Sequence, residues 1–219
     1  MKYLAIALLA ATGISAQAQT FDVENLSATL NLGNTTQKVT DVDDAKDSTT
    51  SIELGLQYQF DDNWSVGVSY ADMGDVSLAT LRNEPIPVQN LVLIGDINLS
   101  SELSALNVFG QVQTAASVGE ITLGARLGLS RWSQDLPLTT KITSAPTAAR
   151  NLIGQSFTTK GSDAGIDLYG GLFAEYLATE TITLGLYINS LNFESTPDWA
   201  DESQEFNALT YSVGLKYNF

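Results

Sequence analysis

One pattern limits this chain more than any other: apolar and polar side chains alternate residue by residue, in eight separate segments. The last nine residues, YSVGLKYNF, show it plainly. Tyr211, Val213, Leu215, Tyr217 and Phe219 alternate with Ser212, Gly214, Lys216 and Asn218. A period of two belongs to a β-strand, whose successive side chains point to opposite faces. The other segments run over about 24–38, 49–60, from 64 onward, 97–115, 120–132, 164–177 and 181–193. Glycine recurs inside them at a rate that a helix would resist.

The ends of the chain and its charge narrow the field. The first residues, MKYLAIALLAATGISAQAQT, combine Lys2, a short apolar run over 3–14 and the small-residue signal Ala16-Gln17-Ala18. This predicts a secretory signal peptide over 1–18, removed from a single domain over 19–219; the apolar run is too short for a spanning helix, which takes about 20 residues. The chain has no Cys, so it has neither disulfides nor thiol chemistry. Its formal charge of -15 argues against a nucleic-acid partner, whose phosphates need a basic surface. No later run of apolar residues reaches the length of a membrane helix. A secreted chain of this kind is periplasmic, extracellular or a membrane barrel, and bulk composition does not separate these, because barrel strands are only half apolar.

The connections do separate them. Those over 61–63, 116–119 and 178–180 are tight, whereas those over 39–48, 79–96, 133–163 and 194–206 are long. Short turns alternating with long loops mark an up-and-down membrane barrel, with the turns in the periplasm and the loops outside the cell. Tyr58, Phe60, Trp64, Tyr176, Tyr217 and Phe219 all fall on the apolar face beside a tight turn or the C-terminus. They are expected to form one aromatic girdle at a membrane interface. The expected fold is therefore all-β: an eight-stranded antiparallel up-and-down transmembrane β-barrel, with its closing strand at the C-terminus.

The stretches LGLQYQFDDNWSVGVSYADMGDV, ITLGARLGLSRW, GIDLYGGLFAEYLATETITLGLYINSLNF and LTYSVGLKYNF, with the terminal Phe, resemble the small outer-membrane β-barrel family of OmpA transmembrane domains and OmpX. The resemblance spans nearly the whole chain. It implies the cell outer membrane of a Gram-negative bacterium, and a C-terminal strand read by the barrel-assembly machinery. It leaves no room for the peptidoglycan-binding domain that many OmpA-type proteins append.

The interior is expected to be polar. Glu53, Arg126, Asp167, Glu175 and Lys216 take its positions, and charges of both signs in a narrow lumen should pair. Two readings of this network stand: a fixed plug, or a gate of exchanging ion pairs, which the resemblance permits. Catalysis is not expected. The chain has no His, on which the known barrel enzymes of the outer membrane rely. No cofactor is expected either. Asp41, Asp43, Asp44, Asp198 and Asp201 lie in two acidic loops, which read as solvated surface or as weak candidates for a divalent cation bridging to lipopolysaccharide. The expected function is a non-catalytic, monomeric barrel, structural and surface-interactive through long loops, contacting outer-membrane lipid and lipopolysaccharide, with a closed polar lumen. A narrow pore for ions is the alternative. A soluble barrel binding an apolar ligand fits less well, because the interior positions are polar.

Overall fold

The computed structural model describes residues 23–40, 42, 45–88, 91–114, 119–198 and 202–219. A short 3-10 turn, Val23–Asn25, leads into eight strands: β1 Leu26–Val39, β2 Lys46–Gln59, β3 Trp64–Val88, β4 Leu91–Gln113, β5 Ile121–Ser144, β6 Ser156–Leu177, β7 Ile182–Ser195 and β8 Gln204–Asn218. Each pairs antiparallel with its neighbour in sequence, and β1 pairs with β8, so the sheet closes on itself. Closure includes the register pair Leu30–Leu215 and a bond from the Phe219 amide to the Leu26 carbonyl at 3.0 Å. A closed sheet leaves no unpaired edge in lipid, where unpaired backbone groups find no water.

The tight turns follow from their residues. Asp61 Oδ1 accepts the backbone N–H groups of Asn63 and Trp64 at 2.8 and 2.9 Å, a side-chain bond that replaces a backbone turn. Gly119 takes φ +82, open to glycine at no steric cost, and donates its N–H to the Leu177 carbonyl.

The opposite end departs from expectation. Two of the four regions expected to be long loops, 79–96 and 133–163, are largely strand. β3 has 25 residues, β4 has 23, β5 has 24 and β6 has 22, against 14 or 15 in the others. The excess adds roughly 30 Å of strand at about 3.3 Å per residue. Pairing of β2 with β3 stops at Ile52–Asp72, and pairing of β6 with β7 stops at Tyr169–Leu191. Beyond these points β3–β6 continue as a four-stranded sheet standing above the rim. A 3-10 segment, Thr147–Leu152, lies over its tip, where Leu93, Ile142 and Ala149 form a small core of their own. Three register shifts in β3, between Asp72/Asp75, Ser77/Ala79 and Leu81/Glu84, curve its side of this sheet.

The polarity of the strands inverts part-way up. In β7 the outward residues change from Ile182, Leu184, Leu186 and Ile188 to Ser190, Asn192 and Glu194. The inward ones change from Thr183, Tyr187 and Asn189 to Leu191 and Phe193. In β8 outward Tyr211 and Val213 give way to Asn207 and Glu205, while inward Ser212 gives way to Ala208 and Phe206. β4 repeats the change, from outward Leu106 and inward Asn107 to outward Glu102 and inward Leu103. The lower belt is apolar outside because it meets lipid. Above it the barrel meets water, and the apolar residues turn inside as in a soluble fold.

Candidate functional site

The interior is the first candidate, and it has two halves. In the half nearest the turns, Arg126 on β5 is buried among three rings. Its guanidinium carbon lies 4.8 Å from the ring centre of Tyr187, 4.9 Å from Phe109 and 5.7 Å from Phe173. Such stacking suits a planar, weakly hydrated cation. Glycines make the room: a Cβ at Gly67 would collide with the Phe109 ring, and one at Gly124 with the Phe173 ring. Arg126 Nη1 is 3.8 Å from Glu53 Oε1. Glu53 also accepts Asn31 Nδ2 at 2.9 Å and the Ser69 hydroxyl at 2.6 Å. Lys216 bonds directly to Glu175, whose other oxygen accepts the Tyr187 hydroxyl at 2.7 Å. Tyr187 therefore connects the two ion pairs, through its ring to Arg126 and through its hydroxyl to Glu175.

Four of the five charged residues expected in the lumen meet in this way. Asp167 stands apart. It is half-buried, joins no ion pair among the described residues, and accepts the Trp132 indole N–H at 2.7 Å. The expected polar lumen is thus corrected for the upper half. There Trp132, Phe193 and Phe206 stack across the barrel with ring centres 4.5 and 5.4 Å apart. Met73, Val76, Leu78, Leu103, Leu136 and Leu191 are buried in the same apolar core. The cause is the inversion described above: once the outer surface meets water, burial of apolar area drives the interior. One polar string crosses this core, in which Gln134 Nε2 donates to the Ser101 hydroxyl and Ser101 donates to Gln37 Oε1.

The outer surface is the second candidate. Phe60, Trp64, Tyr176, Tyr217 and Phe219 are exposed and Tyr58 is half-buried, all at the turn end. Tyr58 packs edge-on against Phe60, and Tyr217 against Phe219. Tyr70 and Tyr211 were not singled out from the sequence. Both are exposed and face outward, each six residues above a girdle aromatic on its own strand, about 20 Å along it. They mark the upper edge of the apolar belt, where polarity inverts. Of the acidic candidates, Asp198 is exposed, while Asp41, Asp43, Asp44 and Asp201 lie outside the described residues. Among the described residues no group of three acidic side chains is placed to hold a metal ion.

A closed eight-stranded sheet with a lipid-facing belt and a filled interior defines a small outer-membrane barrel protein. The chain belongs to the family described as outer membrane protein beta-barrel domain, whose model matches residues 4–219, and its place is the cell outer membrane. Similar folds include Neisserial surface protein A, at 13% identity with a TM-score of 0.52, covering 89% of this chain and 97% of that one. Ail, the attachment invasion locus protein of Yersinia pestis, is 13% identical with a TM-score of 0.43, covering 87% and 97%. OprG from Pseudomonas aeruginosa is 14% identical with a TM-score of 0.45, covering 90% and 99%. Identities this low speak for fold alone. No curated protein matches the chain by sequence.

Proposed function

We propose that this is a non-catalytic, monomeric barrel whose lumen is closed and whose working part is the sheet raised by β3–β6 above the membrane. That sheet carries the reading. It is far longer than a connection between spanning strands requires, and it presents a recognition surface away from the lipid. Beyond Tyr169, β6 has no strand partner on its β7 side, and past Asp163, whose carboxylate accepts the Thr196 backbone N–H, residues 156–162 offer an open sheet edge. The chain's lack of His supports a non-catalytic role. The same reading includes a cleaved signal over 1–18, contact of the outer rim with lipopolysaccharide, and use of the strand ending in Phe219 by the barrel-assembly machinery. The alternative of a narrow pore is opposed by the apolar stack of Trp132, Phe193 and Phe206 across the lumen.

The test compares cells displaying the full protein with cells displaying a trimmed one. Residues 82–96 and 142–155 are each replaced by a tight turn, and heat-modifiable gel mobility checks that both barrels are folded. Adhesion to a panel of immobilised extracellular-matrix proteins should fall to background in the trimmed form. Equal adhesion by both forms, or none by the full protein, removes the sheet as the working part.

A further inference from the structure

An internal cavity of about 20 Å³ lies where the polar half of the lumen meets the apolar half. Asn31, Asn107, Asn189 and Ser212 line it, with Glu53 and Tyr169. The first four are only 2%, 0%, 5% and 8% exposed. Each has a side-chain oxygen without a hydrogen-bond partner among the described residues: Asn31 Oδ1, Asn107 Oδ1, Asn189 Oδ1 and Ser212 Oγ. Buried polar oxygens left so are costly.

Glu53 explains the arrangement. Its carboxylate accepts Asn31 Nδ2 and the Ser69 hydroxyl, and Ser69 Oγ in turn accepts Asn107 Nδ2 at 3.2 Å. Rotating either amide would set a carbonyl against the carboxylate, or against a hydroxyl whose proton is already committed. The donors of Asn31 and Asn107 are therefore drawn towards Glu53, and their carbonyls are turned away from it. Asn31 Oδ1 lies over Gly214, where a Cβ would collide with it.

The occupant must donate hydrogen bonds and be small. It must also be neutral. Glu53 and Glu175 are already balanced by Arg126 and Lys216, so a bare cation would leave one buried charge uncompensated. The cavity exceeds the roughly 10–15 Å³ that one water needs. We propose that it is a built site for one structural water, hydrogen-bonded to oxygens of the Asn and Ser side chains that line it. Ala71 and Met73 line the cavity and also belong to the apolar core, so this water sits at the boundary between the two halves.

Two substitutions at Ala71 read the sign directly, by urea unfolding in lipid vesicles. Ala71→Val fills the cavity without a donor, so the folded-to-unfolded ratio should fall about tenfold. Ala71→Ser supplies a hydroxyl in place of the water and should leave that ratio unchanged. A dry cavity gives the reverse order, with Val the more stable variant, and overturns the proposal. A second measurement needs no variant: a crystal structure of the wild-type protein grown in thallium(I) salt. A solvent peak without anomalous signal supports water. An anomalous peak there, or no peak at all, overturns it.

Discussion

Lys216 and Glu175 show what one residue contributes inside a barrel. Their pair is buried, and Glu175 also holds the Tyr187 hydroxyl, so neither charge has water to fall back on. Removing one partner is costly because the other remains charged in a dry interior, whereas removing both charges is much milder. Lys216→Met should therefore lower stability by about 3–5 kcal/mol, read as the urea midpoint in lipid vesicles. The double variant Lys216→Met, Glu175→Gln should recover most of that loss, since Gln still accepts from Tyr187. Equal loss in both would mean that packing of the lysine stem, not its charge, is what matters. The residue scale also shows a limit of sequence reading. Strand parity places Lys216, Glu175, Arg126 and Asp167 on the inward face, but partners across a lumen depend on height and side-chain reach. Parity carries neither, which is why Asp167 was expected to join the charge network and instead bonds Trp132.

At the scale of elements, legibility tracked the solvent. Inside the apolar belt, lipid on one face forces strict alternation, and all eight strands could be located from it. Above the belt that constraint ends. β3 then carries three register shifts, Asn83 at φ +58, and both Pro85 and Pro87, so its alternation breaks and 79–96 reads as loop. The upper parts of β5 and β6 are dense in Thr and Ser, with Thr139 and Thr158 bonded across the sheet, and show no clear period. Such a sheet is held by backbone pairing and by its small tip core rather than by a closed barrel. Its connection is the weak point: Arg150 is exposed on the short 3-10 segment Thr147–Leu152. Trypsin added to intact cells should nick the chain after Arg150. The two fragments should migrate together as a folded barrel until boiled, since β5 and β6 remain paired below the cut. Cleavage within the belt at Arg126, or complete resistance at Arg150, would contradict this division of the molecule.

The whole molecule has two stages on one set of strands, inverted with respect to each other: a closed barrel below, and above it two facing sheets, β7–β8–β1–β2 and β3–β6, no longer paired to one another. The lower one is apolar outside and polar inside; the upper one is polar outside and apolar inside. The lower half was legible because its charges sit at inward positions of clear strands. The upper half was not, although a signal existed: along 189–194 and 205–210 the apolar residues change phase by one position. The change falls inside the expected strand over 181–193 and at the end of the expected loop over 194–206, and an expectation of one solvent along the strand conceals it. It alters where closure is located. Ion pairs alone can exchange partners and admit water, but the stack of Trp132, Phe193 and Phe206 backed by leucines offers an ion no polar group, and the one polar string through this core, Gln134–Ser101–Gln37, is uncharged and bonded within itself. In a planar bilayer the wild type and Arg126→Ala should both be silent, while Trp132→Ala and Phe193→Ala, each shown folded by gel mobility, should give discrete openings. Openings from Arg126→Ala with silence from both aromatic variants would place the closure in the charge network below.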